Sequence, residues 1–175
     1  RFLFMLDPKK FMSLLSGSGY DYDFHEHKSL FTVQESNKLR GQIKGSHSKN
    51  LFLKNKKNKF CLISCEEYTD INLKRISKFL CLGNVSFARE EYLINLLGVK
   101  PGSVTPFALL NNIENNIDFY LDEKLYNSKF VNFHPLTNTV TITMKCSTFI
   151  EFMIENNKKI HIFSASKEKV IKTYE

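Results

Sequence analysis

The stretch Leu97–Asn112, LGVKPGSVTPFALLNN, departs sharply in composition from the rest of the chain. The 175 residues include only 7 Gly and 4 Pro, yet Gly98, Pro101, Gly102 and Pro106 all fall within this segment. Proline fixes φ and glycine permits positive φ, so the pattern predicts a stiff loop. One interpretation is an ordinary turn. The other is a backbone cradle around Gly102 and Ser103, whose successive N–H groups hold an anion.

Helices and strands alternate on both sides of this loop. Capping residues and apolar spacing predict helices at 7–15, 32–40 (opened by a Thr32/Glu35 capping box), 70–83, 88–98 and 146–157. Apolar runs and alternating patterns predict strands at 20–27, 51–53, 60–63, 107–112, 117–122, 130–134, 138–144 and 159–165. Because helices and strands are interspersed and several strands look hairpin-connected, we expect a mixed-sheet α/β or α+β fold. The length suits a single domain over residues 1–175.

The chain is basic, with 25 Lys and Arg against 18 Asp and Glu, a formal charge of +7 and a pI near 9.2. This balance favours a polyanionic partner such as RNA, DNA or an acidic membrane surface. No apolar segment approaches the roughly 20 residues that cross a bilayer, so we expect no membrane segment. Cys61 and Cys65 lie four apart on a predicted strand, which indicates buried thiols of a cytoplasmic protein.

Three polar positions interrupt the apolar pattern. Lys49 and Asn50 precede the predicted strand at 51–53, and His134 precedes Pro135 at the end of another strand. Each has an ordinary structural interpretation, as a solvent-facing lysine or a hydrogen-bonded histidine. His25-x-His27 indicates a surface role, and no metal site is predicted. The residues alone therefore indicate only a basic domain with a stiff loop, a Lys-Asn pair and a histidine at the end of a strand.

The ordered motifs FTVQE, RGQIKGSHSKNLFL, VSFAREE, LLGVKPGSVTPFALLNN and VNFHPLTNTVTI resemble the YbaK/prolyl-tRNA-editing domain family over about 25–163. The resemblance implies a mixed, partly barrel-like sheet surrounded by helices. It also implies an aminoacyl-tRNA deacylase that needs no metal or nucleotide cofactor. Ser48 and Lys28 depart from the Thr and Pro that are common in the family. The tail SASKEKVIKTYE extends past the similarity, which leaves open a domain of a larger protein, since the family also occurs fused to prolyl-tRNA synthetases.

The resemblance places the family's catalytic positions on Lys49, Gly102, Ser103 and His134. It gives substrate-binding roles to Asn50, Thr105 and Phe107. Main-chain N–H groups around Gly102 and Ser103 are expected to face the oxygen of the tetrahedral intermediate. Charge alone adds candidate contacts to the tRNA acceptor stem at Lys38, Arg40, Lys44, Lys74, Arg75 and Lys78.

The expected activity is hydrolysis of mischarged tRNA(Pro), above all of Ala-tRNA(Pro), with prolyl-tRNA synthetase as a possible partner. Two alternatives stay open at this point. One is a deacylase of Cys- or Ser-tRNA on the same fold, because the lining of the pocket is not visible in a single sequence. The other is a non-catalytic tRNA-binding appendage of a synthetase.

Overall fold

A computed structural model describes residues 5–29, 38 and 41–175, and its centre is a nine-stranded mixed sheet. The strands are β1 (Asp23–Glu26), β2 (Ser46–Asn55), β3 (Phe60–Glu66), β4 (Val85–Phe87), β5 (Ile117–Asp122), β6 (Phe130–Phe133), β7 (Val140–Lys145), β8 (Ile160–Ser164) and β9 (Lys169–Tyr174). Their order is β1-β7-β6-β2-β3-β5-β8-β9, and β4 also pairs with β2. Three pairs, β2·β6, β3·β5 and β5·β8, are parallel, and the others are antiparallel.

Helices flank the sheet, and their ends follow from capping residues. They are α1 (Pro8–Gly17), α2 (Leu73–Phe79), α3 (Glu90–Tyr92), α4 (Glu123–Tyr126) and α5 (Cys146–Glu155). The Asp7 side chain accepts the Lys10 N–H at 2.8 Å, and Pro8 occupies the first turn of α1. Asn72 caps α2 in the same way through the Arg75 N–H at 3.0 Å. In both helices a hydrogen bond from a backbone N–H to the capping side chain therefore fixes the residue at which the helix begins.

The core lies on two sides of the central strands. Successive side chains of β2 alternate, so Phe52 enters a large cluster with Phe11, Phe107 and Phe149. Leu53 enters a smaller cluster, which includes Ile76 and Leu80 at α2. The larger cluster therefore packs α1 and α5 against one face, and the smaller cluster packs α2 against the other.

The mixed fold class is confirmed, together with the predicted helices at α1, α2 and α5. The strand predicted at 107–112 is wrong, because residues 107–111 lie in a 3₁₀-helix, Pro106–Asn111, and Asn112 is its C-cap. Pro106 stands at its first position and the Thr105 hydroxyl accepts the Phe107 N–H at 3.4 Å, so this segment begins as a capped helix. Its apolar residues are buried in the large cluster. A short run of buried apolar residues is also typical of a strand, which explains the prediction.

Other differences are smaller. The helix predicted at 88–98 divides into α3 and a π-helix, Leu93–Leu97, which Gly98 ends at φ 68° as expected of a C-cap. Strands β4 and β9 were not predicted, and β9 lies in the tail beyond the family resemblance. The capping box at 32–35 falls outside the described residues. Cys61 and Cys65 are both buried, as expected, and no helix within the described ranges is long and apolar enough to cross a membrane.

Candidate active site

Lys49 and His134 lie just beyond the residues that pair β2 with β6. β2 and β6 run parallel, and their last register pair is His47 with Asn132. Lys49 and His134 each lie two positions beyond that pair. The Ser48 hydroxyl fastens the two strands there by donating to the Asn132 carbonyl at 2.9 Å. Two residues that are 85 positions apart in the sequence thereby both lie close to the last register pair of β2 and β6.

The Lys49 ammonium donates a hydrogen bond to the Thr69 carbonyl. Thr69 lies in the turn after β3, and β3 pairs with β2 in a register that sets Lys49 opposite Cys65. An ammonium has three N–H donors. The Thr69 carbonyl takes one of them and fixes the direction of a long, flexible side chain.

Asn50 lies on the opposite face of β2 from Lys49, because consecutive strand residues alternate. Its amide oxygen accepts the Ser64 hydroxyl at 2.6 Å, and its amide nitrogen donates to the Ser48 hydroxyl at 3.4 Å. Asn50 and Lys49 therefore do not form a single adjacent pair of ligands. In this arrangement Asn50 orders the strands, on the side of the large apolar cluster.

His134 has a defined tautomer when it is neutral. Its Nδ1 lies 2.8 Å from the Val140 carbonyl, which can only accept, so Nδ1 carries the proton and Nε2 the lone pair. The His27 ring lies beside it, with the ring centroids 6.2 Å apart. His27 is held in turn by the Lys28 carbonyl and the Thr141 hydroxyl, each at 2.9 Å. The site histidine therefore has a second, fixed imidazole as its neighbour.

The Gly/Pro loop contains a β-turn from Lys100 to Ser103. The Ser103 N–H donates to the Lys100 carbonyl at 3.0 Å, Pro101 takes the second position, and Gly102 takes the third at φ 85°. These are the features of a type II turn, which requires glycine at the third position. The expectation that the Ser103 N–H faces a substrate oxygen is corrected, since the turn itself uses that donor. Within the described residues, no backbone carbonyl accepts the Gly102 N–H.

The turn lies close to the loop that follows His134. A Cβ on Gly102 would stand 3.7 Å from the Asn138 side-chain nitrogen, an ordinary contact distance. The Ser29 hydroxyl donates to the Asn138 side-chain oxygen at 3.2 Å, which brings the segment after His27 to the same place. Gly102, Asn138 and the two histidines thus form one neighbourhood.

Thr105 and Phe107 lie beneath this neighbourhood rather than in it. Both are completely buried, and Phe107 packs against the rings of Phe11, Phe133 and Phe149. Neither side chain can touch a substrate directly in this conformation. Their contribution is to support the loop from the core.

The six basic candidates differ in their surroundings. Lys44 forms an ion pair with Asp23 at 2.8 Å, and Arg75 pairs with Glu168. Lys74 and Lys78 are exposed and line a groove of about 730 Å³ beside α2, together with Ser77, Cys81 and Asn84. Lys38 is exposed, and Arg40 falls outside the described residues. The described residues include no group of three or more His, Cys, Asp or Glu placed to hold a metal ion.

Comparison with known proteins gives the family. The sequence model of the aminoacyl-tRNA editing domain matches residues 27–152. The chain belongs to the aminoacyl-tRNA editing domain family. This editing domain is 38% identical over 133 residues to prolyl-tRNA synthetase associated domain-containing protein 1 of Xenopus laevis, and the match covers 73% of this chain and 79% of that protein.

Two further relatives extend the comparison. The prolyl-tRNA editing protein ProX of Acetoanaerobium sticklandii is 28% identical over 125 residues, which cover 71% of the editing domain and 76% of ProX. A solved structure described as a "putative trans-editing enzyme for prolyl tRNA synthetase" superposes with a TM-score of 0.66 at 19% identity, covering 87% of this chain and 93% of that one. At that identity the superposition establishes the fold alone.

Sequence reasoning missed several residues of the site. The sequence pattern indicates a surface role for His27, and it gives no indication of Ser29, Asn138 or Thr69. Their contacts join segments far apart in the chain, such as Ser29 with Asn138, and local patterns carry no signal of such pairs. The sequence does contain an indication of Asp122, because a carboxylate at the end of a buried strand and the start of a helix is typical of a helix N-cap.

Proposed function

We propose that this editing domain is an aminoacyl-tRNA deacylase that hydrolyses the ester of mischarged tRNA(Pro), with Ala-tRNA(Pro) as its preferred substrate. The observation that carries the proposal is that Lys49 and His134 each follow the last register pair of β2 and β6 by two positions, in a member of the editing family. The names of the relatives, which refer to prolyl-tRNA synthetase and prolyl-tRNA editing, support tRNA(Pro) as the substrate.

The proposed mechanism needs no nucleophilic side chain, because an aminoacyl ester is already labile. Lys49 directs its remaining N–H donors at the ester carbonyl or the terminal phosphate. The Gly102 N–H faces the oxygen that becomes negative in the tetrahedral intermediate, and one such donor contributes about 3 kcal/mol. His134 shapes the pocket near the amino acid of the substrate.

The proposed selectivity for alanine depends on size. Attraction separates substrates by only about 1–3 kcal/mol per methylene, whereas a clash can exclude a larger ring. A pocket too small for the pyrrolidine ring therefore spares Pro-tRNA(Pro) and admits alanine. The closely packed rings of Phe107 and Phe133 support the 97–112 loop from the core.

Side-by-side hydrolysis of Ala-, Cys-, Ser- and Pro-tRNA by the purified protein tests the proposal. We expect Ala-tRNA(Pro) to be hydrolysed fastest and Pro-tRNA(Pro) to be spared. Lys49→Ala should abolish the hydrolysis without changing the thermal unfolding midpoint, because Lys49 is only half-buried and the turn that carries its partner is closed by a separate hydrogen bond from the Thr69 N–H to the Glu66 carbonyl.

The other outcomes of the panel separate the alternatives. Faster hydrolysis of Cys-tRNA or Ser-tRNA assigns a different substrate on the same fold. Binding of tRNA without loss of any ester favours a non-catalytic appendage of a synthetase. Unchanged turnover by Lys49→Ala at saturating Ala-tRNA(Pro) rejects the proposed role of Lys49.

A further inference from the structure

The turn that holds Lys49 is itself anchored to a buried carboxylate. Asp122 ends β5, is 2% exposed, and stands beside the end of β3, because the two strands are parallel. Its Oδ2 accepts the Thr69 hydroxyl and the Glu66 N–H, each at 3.1 Å. Both ends of the Glu66–Thr69 turn are therefore bonded to one oxygen atom.

The same carboxylate is fixed from its other side. Its Oδ1 accepts the Lys124 N–H at 3.1 Å, which makes Asp122 the N-cap of α4. Thr69 is 5% exposed, and its own N–H closes the turn onto the Glu66 carbonyl at 3.0 Å. A chain of bonds thus runs from α4 through Asp122 and the turn to the Lys49 ammonium.

Lys49 and Asp122 do not form an ion pair by direct contact in this chain of bonds. The bond to Lys49 comes from the Thr69 carbonyl, while Asp122 acts on the hydroxyl of the same residue. A carbonyl acceptor fixes the ammonium without neutralising its charge. The arrangement restricts where the ammonium group can be.

We infer that Thr69 and Asp122 are positioning residues that set the location of the Lys49 ammonium for the reaction. The inference rests on the proposed function. It assigns them no contact with the substrate. Misplacing a catalytic group by about 1 Å can slow a reaction on the order of 100-fold, so the stiffness of this turn is part of the site.

The test compares Thr69→Val, which removes the hydroxyl at nearly constant volume, with Thr69→Ser, which keeps it. Thr69→Val should lower kcat for Ala-tRNA(Pro) roughly 10- to 100-fold and weaken its binding as well, and Thr69→Ser should keep most of the rate. Asp122→Asn tests the same anchor from the other side and should also lower kcat. Each variant is assayed below its own unfolding midpoint.

A double-mutant cycle shows whether the effect passes through Lys49. Its probe is tRNA(Pro) carrying alanine through a non-hydrolysable amide, with affinity as the readout. Thr69→Val should weaken binding in the wild-type background and have no further effect in Lys49→Ala, because the two changes share one path.

The outcomes separate this inference from the function that it builds on. If the wild-type protein hydrolyses no mischarged tRNA, the proposed function fails. If the wild type is active and Lys49→Ala is not, but Thr69→Val and Asp122→Asn keep wild-type kcat, the inference alone is overturned. Equal loss of affinity from Thr69→Val with and without Lys49 overturns it as well, since the turn then acts independently of the lysine.

Discussion

Each glycine and proline of the 97–112 loop has a local backbone role. Gly98 ends the π-helix in the left-handed conformation, Pro101 and Gly102 form the β-turn, and Pro106 opens the 3₁₀-helix. The composition that suggested a ligand cradle is thus accounted for by three consecutive structural tasks. Composition predicted a stiff loop correctly, but it could not separate a turn from an anion site.

Glycine-to-alanine substitutions test these backbone roles. Gly102→Ala and Gly83→Ala place a Cβ at φ 85° and 75° without a close contact, so each should lower the free energy of unfolding by about 1 kcal/mol. Gly98→Ala should cost clearly more, because its Cβ would also stand 2.8 Å from the Asn111 side-chain nitrogen. Urea denaturation measures all three. Equal losses at Gly98 and Gly83 would contradict the packing argument.

The site residues divide by how they are encoded. Lys49 and His134 were identified from motifs that resemble a family. Lys49 and Asn50 are neighbours in the motif, but consecutive side chains of β2 point to opposite faces of the sheet, so the two side chains lie apart. His27, Thr69 and Asp122 enter the site through contacts between distant segments, and such contacts depend on strand order, which the sequence did not specify.

At the scale of elements, hydrophobic periodicity located most of the fold. It identified α2 with Ile76 inward and Lys74 and Lys78 outward, as observed. It failed at residues 107–112, where burial on all sides removes the difference between a short helix and a strand. It also missed β4 and β9, because β4 has only three residues and β9 is almost wholly exposed.

The α2 groove gives a prediction about RNA. Lys74 and Lys78 stand one helical turn apart along it and are available to bind phosphates, whereas Arg75 is engaged with Glu168. Reversing both lysines to Glu should weaken binding of tRNA(Pro). It should also reduce the slope of log affinity against log salt by about one for each phosphate that the protein no longer neutralises.

The matched control for the groove is Lys56→Glu with Lys57→Glu, which makes the same charge change in the exposed turn between β2 and β3. This control should have a smaller effect on both affinity and slope. Equal effects from the two pairs would show that only net charge matters. Affinity is measured by filter binding over a range of KCl concentrations.

At the scale of the whole molecule, the sheet separates two apolar clusters, and three thiols are buried among them. Burial raises the pKa of Cys61 to about 12 and that of Cys146 to about 11, and it raises the pKa of Cys65 as well. Cys81 is exposed. The folded protein therefore keeps three thiols protonated at a pH where the unfolded chain ionises them.

This difference predicts alkaline destabilisation. A thiol in the unfolded chain titrates near its ordinary pKa of 9.0, so the stability it contributes is complete below that pH and is lost as the pH rises towards the folded pKa. Each buried thiol should lower the free energy of unfolding by up to about 1.4 kcal/mol per pH unit in that window. Urea titrations between pH 8 and pH 10.5 measure it. Cys61→Ala should flatten the dependence and Cys81→Ala should not.

β2 pairs with β3, β4 and β6, and it carries Lys49 in its first half. A strand bonded to three neighbours cannot fray from the sheet by itself. Lys49 itself pairs with Cys65 of β3, and the pairs with β6 and β4 flank it at residues 46–47 and 53–55, so the backbone around the lysine opens together with these neighbouring pairs in a sub-global opening. The ammonium is consequently preorganised before substrate arrives, and heat should abolish catalysis and cooperative structure over the same temperature interval.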